Sequence, residues 1–97
     1  MTQQLAFALR DEALDSLEAR RAEYVMEARF WAAQLVALHG YVTVDDIRHL
    51  CPPPAGVDPR VMGAILRRPM FQAGEWVNSE RRESHGRPVR VFRLAQP

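Results

Sequence analysis

Thr43-Val44-Asp45-Asp46-Ile47-Arg48-His49-Leu50-Cys51-Pro52-Pro53-Pro54-Ala55-Gly56-Val57-Asp58-Pro59-Arg60-Val61-Met62-Gly63-Ala64-Ile65-Leu66-Arg67-Arg68 holds two helix starts separated by a segment that cannot be helical. Thr43, with Asp46 three residues on, has the pattern of a capping box. It predicts a short helix over 44–50, with Ile47 and Leu50 turned inward. The three consecutive prolines of 51–57 remove backbone donors and fix φ, so that helix must stop there. Asp58-Pro59 is a second start, an N-cap followed by proline at the first helical position. A helix is expected from 59 to about 68, because Pro69 disfavours a helical Arg68. Val61, Met62, Ile65 and Leu66 fall on one side of it and Arg60, Gly63, Ala64 and Arg67 on the other.

Upstream, residues 1–39 contain neither Gly nor Pro and are rich in Ala, Leu, Glu and Arg. These are good helix formers. Tyr24, Ala28, Trp31, Leu35 and Leu38 make one apolar stripe, and Leu5, Leu9, Ala13 or Leu14, and Leu17 make an earlier one. The two are out of phase, and Asp15 with Glu18 could cap a new start. Two helices, about 4–14 and 17–39 with a joint near 15–21, are expected; a single bent helix is the alternative. Gly40 ends the run. Tyr41-Val42-Thr43 is short and β-prone.

Downstream, Glu75-Trp76-Val77-Asn78-Ser79 and Val89-Arg90-Val91-Phe92-Arg93-Leu94 read as two strands of a hairpin. The loop between them, residues 80–88, is long and charged. Trp31, Trp76 and Phe92 are expected in the core. The fold class is therefore mainly α with a small β-hairpin, an α+β chain of one domain.

The order of long helix, short strand, short helix, turn, helix and hairpin is that of a winged helix-turn-helix domain with an extra N-terminal helix. The resemblance covers about residues 24–95 and rests on 42–48, 58–68 and His85-Gly86-Arg87-Pro88-Val89-Arg90-Val91-Phe92-Arg93. The last two stretches are similar to those of small uncharacterised proteins encoded by bacteriophages and prophages. The resemblance implies residues 21–97 as the winged-helix domain and 1–20 as a helical extension that could pair with a second copy. One departure stands out: the turn between the two short helices is about seven residues, longer than usual.

Charge distribution points to an anionic partner. Net charge is +1, from 13 basic and 12 acidic residues, and every basic residue is arginine. Residues 1–39 carry −2 and residues 60–97 carry +5. An outward face of Arg60, Gly63, Ala64, Arg67 and Arg68 could approach a duplex, since arginine reads guanine bidentately or holds phosphate. A solvated helix face is the alternative. Arg81, Arg82, His85 and Arg87, with Arg90 nearby, would give the hairpin tip a hold on the phosphate backbone or the minor groove. A solvated turn with internal pairs to Glu80 and Glu83 is the alternative there.

Double-stranded DNA is thus the expected partner, in transcription or replication control. A protein-interaction adaptor is the rival. Homodimerisation through the N-terminal helices is expected from their surplus apolar residues. His39, His49, Cys51 and His85 lack zinc spacing, and no nucleophile motif or phosphate loop is present, so no metal, cofactor, small-molecule ligand or enzyme activity is expected. The lone Cys51 excludes an internal disulfide and suits the cytoplasm. No signal peptide or membrane span is evident.

Overall fold

The computed structural model describes residues 2–82 and 85–96, with side chains described from Ser16 onward. The expected stripe residues Leu5, Leu9, Ala13 and Leu14 therefore lie outside the described side chains, as do Glu83 and Ser84 of the hairpin tip. The chain is α+β: α1 (Thr2–His39), α2 (Val44–Leu50), a 3-10 helix (Pro59–Ala64), β1 (Phe71–Asn78) and β2 (Pro88–Leu94).

α1 is a single helix of 38 residues, so the expected joint near 15–21 does not form. With no Gly or Pro before Gly40, local propensity carries the helix across the phase slip between its stripes. At 1.5 Å per residue it accounts for the 56 Å long axis of the molecule. The packed face also differs from the expected one. Tyr24, Val25, Ala28 and Ala32 are buried, with Leu35 and Val36 partly so, while Trp31 and Leu38 are exposed. Two alanines in the seam let the neighbouring segments come close. Gly40 ends the helix at φ +86°, a left-handed conformation that L side chains rarely adopt, and its N–H bonds the Val36 carbonyl at 2.7 Å.

α2 starts as its sequence requires. The Asp46 N–H donates to Thr43 Oγ1 at 3.2 Å and the Thr43 N–H donates to Asp46 Oδ2 at 2.9 Å. Ile47 is fully buried, but Leu50 is turned out, contrary to expectation. Leu50 is the last residue of α2, and its C-cap neighbour Cys51 is buried instead. Because the cap satisfies two otherwise orphaned donors of a seven-residue helix, Thr43→Ala is expected to cost about 1 kcal/mol. Chemical denaturation monitored by circular dichroism checks this; an unchanged midpoint would show that water replaces the cap without loss.

The segment expected as a helix over 59–68 is instead a 3-10 helix of six residues. Asp58 caps it through a bond from the Arg60 N–H at 2.9 Å. Prolines 59 and 69 leave too short a run for a self-supporting α-helix, so tertiary contacts decide. In an α-helix the Ile65 carbonyl would accept from the N–H of residue 69, and Pro69 has none. Arg29 of α1 fills that role. Its Nε donates to the Ile65 carbonyl at 3.1 Å and its Nη2 to the Ala64 carbonyl at 2.8 Å. The inward side is as expected: Val61, Met62, Ile65 and Leu66 are all buried.

β1 begins at Phe71, four residues before the expected start, and pairs antiparallel with β2 from Phe71↔Leu94 to Asn78↔Pro88. The register shifts between Ala73 and Trp76. Gly74 sits in that irregularity, and a Cβ there would lie 2.6 Å from Arg93 Nη1 and 3.3 Å from the Val91 carbonyl. The missing side chain leaves room for Arg93 to cross to Glu75, where it makes two hydrogen bonds at 2.8 and 3.0 Å. These bonds hold the Glu75 carboxyl down to about 2. The short strand expected at 41–43 is reduced to one bridge, Val42↔Phe92, bonded in both directions at 2.8 and 2.9 Å.

The core lies where these pieces meet. Val42, Ile47, Ile65, Phe71 and Val91 are its largest fully buried side chains. Phe92 packs partly against it, whereas Trp76 is 60% exposed and not a core residue. Tyr24 joins α1 to the proline segment and the 3-10 helix. Its hydroxyl donates to the Cys51 carbonyl at 2.7 Å and lies 3.2 Å from Met62 Sδ. Burial, foremost, pushes the Tyr24 hydroxyl up to about 12. Among the described residues, no helix is long and apolar enough to cross a membrane.

Candidate nucleic-acid interface

The arginines of residues 60–97 fall into three settings. The first is the 3-10 helix and the turn after it. Arg60 projects fully, its side chain 94% exposed, and the Asp58 carboxylate reaches its Nε only at 4.0 Å. Gly63 is exposed with open space where a Cβ would stand, and Ala64 is half-buried, so the two small residues expected on one outward face are not equivalent. Arg67 is exposed and its Nε donates back to the Gly63 carbonyl at 3.1 Å. Arg68 is exposed and precedes Pro69 through a cis peptide bond.

The second setting is the loop between the strands. Arg82, His85 and Arg87 are exposed. His85 and Gly86 both take positive φ, 52° and 76°, as they turn the chain back toward β2. The Ser79 N–H bonds the Arg87 carbonyl at 2.9 Å and closes the base of this loop. Arg81 is different. Its Nε lies 3.5 Å from Asp45 Oδ1 at the start of α2. Arg48 Nη1 reaches the same oxygen at 3.3 Å, and the Ser79 hydroxyl donates to Asp45 Oδ2. Asp45 thus draws two guanidiniums and a hydroxyl to one carboxylate. Arg81 thereby ties the hairpin to α2.

The third setting is the face of the hairpin. Arg90 is not at the tip. It sits on β2 directly across from Trp76, its guanidinium carbon 4.9 Å from the ring centroid. This is cation–π distance. Its Nε is buried without a hydrogen-bond partner among the described residues. Arg93 is occupied by Glu75. Among the described residues, no hydrogen bond or ion pair joins the arginines of the first setting to those of the second.

Sequence reading missed Arg29, whose role was signalled only indirectly by the proline at 69. It also missed the exposure of Trp76, which a bulge beside a glycine makes possible. Cys51 is buried, and burial pushes its thiol up, away from the thiolate a nucleophile needs. Among the described residues, no three His, Cys, Asp or Glu side chains converge as metal ligands. No protein-family model, curated protein or solved structure matches the chain.

Proposed function

We propose that this chain is a winged helix-turn-helix protein that binds duplex DNA in the cytoplasm, as a regulator of transcription or replication. The element order and the single Val42–Phe92 bridge, which ties the segment before α2 to β2, support the winged reading. One observation carries the DNA reading. Arg67, Arg68, Arg82 and Arg87 are exposed and make no ion pair with a carboxylate among the described residues. Arginine kept clear of carboxylates is available to phosphate, and its fork suits bidentate contact.

The 3-10 helix is too short to lie along a major groove as an α-helix would. The loop between the strands therefore carries more of the contact than the sequence suggested, with Arg82 and Arg87 on the phosphate backbone. Titrating a mixed-sequence duplex at about 50 and about 200 mM salt tests this. Affinity should fall steeply with salt, and replacing Arg82 and Arg87 with glutamine should lower the log–log slope by about 2. Salt-insensitive binding, or none, would remove the reading.

A second reading has its own support. Met26, Phe30 and Leu38 project from one side of α1 at multiples of four residues and are 72%, 55% and 76% exposed. Such a stripe fits another protein, either an adaptor's partner or a second copy of this chain.

A further inference from the structure

The cleft between α1 and the 3-10 helix has a volume of about 370 Å³ and is edged by Arg21, Arg29 and Arg67. Val25 and Ala64 form part of its floor. Among the described residues, no carboxylate lines it. The nearest acid along α1 on that side is Glu18, one turn before Arg21, and it makes no ion pair with any of the three among the described residues. Two of the guanidiniums are already oriented. Arg29 is held through Nε and Nη2 by the carbonyls of Ile65 and Ala64, and Arg67 is held through Nε by the Gly63 carbonyl. Neither anchor uses the Nη1 groups. Arg21 is exposed and lines the cleft from α1.

Three like charges around one hollow repel one another, and water alone screens them poorly where one member is half-buried. An anion bound between them removes that repulsion, and pre-oriented donors hold it at a small entropic cost. We propose that this cleft is a phosphate-binding site. A phosphate oxygen accepts from Arg29 and Arg67, and Arg21 donates to it from α1. The source of the phosphate rests on the duplex reading. A DNA backbone that meets the hairpin loop would then also be gripped at α1, on a part of the molecule that winged-helix element order alone does not assign to DNA.

The test uses the full chain and leaves Arg29 in place, because that residue holds the fold. Arg21→Gln with Arg67→Gln is compared with Arg21→Lys with Arg67→Lys, and with the Arg82→Gln, Arg87→Gln pair. Duplex binding is read by fluorescence anisotropy, and thermal denaturation is measured with inorganic phosphate and with pyrophosphate. The glutamine pair at 21 and 67 should weaken duplex binding about tenfold and lower its salt slope by about 2, while the lysine pair retains most of the binding. Unchanged duplex affinity in the 21/67 glutamine pair, with loss in the 82/87 pair, would overturn the cleft and leave the duplex reading standing. Failure of the wild type to bind duplex, together with stabilisation by pyrophosphate that the 21/67 glutamine pair abolishes, would uphold the cleft as a site for a free phosphate compound and remove the duplex reading. Binding of neither would overturn both.

Discussion

Replacing Phe71 with alanine is expected to cost about 3–5 kcal/mol, a large share of the roughly 5–15 kcal/mol that holds a small domain folded. The ring is 1% exposed and belongs to the same buried cluster as Tyr24 and Ala28 of α1, Ile47 of α2 and Ile65. Its N–H bonds the Arg67 carbonyl at 3.1 Å, so the backbone at this point is fixed and cannot easily move in to fill a cavity. The residue also opens β1, and losing it would loosen the hairpin from the helices. Urea denaturation gives the measure: a midpoint far below wild type at unchanged m, with Phe71→Leu falling between the two. A loss under about 1.5 kcal/mol would mean that the core closes without this ring.

Arg29→Met is the second large effect, expected at about 3 kcal/mol. Methionine keeps the apolar stem and removes the guanidinium. The Ile65 carbonyl, on a fully buried residue, then has no donor, because Pro69 supplies none. The cost combines the lost charge-assisted bonds with the desolvation of an orphaned acceptor. Arg29→Lys should recover part of it, since one ammonium can reach one carbonyl but cannot fork across two. Denaturation of the three proteins side by side measures this. Equal stability of wild type and Arg29→Met would show that the 3-10 segment is held by its apolar side alone.

Much of the fold was legible because its decisive signals are local. The capping box at Thr43, the Asp58-Pro59 start, the Gly40 stop and the inward set Val61, Met62, Ile65 and Leu66 all depend on neighbours in sequence. What was misread depends on distant partners. The segment expected as a helix over 59–68 is a 3-10 helix whose last carbonyls, short of a donor at Pro69, are taken by Arg29 far upstream. Phe71 carries no local strand signal, because Gly74 stands between it and the β-prone run from Glu75. Both tryptophans are exposed, Trp31 despite its place on an apolar stripe and Trp76 beside the strand irregularity. The candidate interface was legible as a charge imbalance but not as an arrangement. Only the structure separates Arg81 on Asp45, Arg90 on Trp76 and Arg93 on Glu75 from the arginines that make no ion pair among the described residues.

The bonds that join α1 and α2 to the rest of the chain all span long stretches of sequence. Tyr24 reaches Cys51 and Met62 at separations of 27 and 38 residues, Arg29 reaches Ile65 at 36, and Ser79 reaches Asp45 at 34. Each such closure costs chain entropy that rises only slowly with loop length, so the first is the expensive one. Once one has formed, the others close much shorter effective loops and follow together. Among the described elements the hairpin is the pair that can zip locally, and two strands alone are marginal in water. Neither the seven-residue α2 nor the hairpin is therefore a stable folding unit by itself. The domain should form in a single cooperative step, with long-range pairing setting the pace.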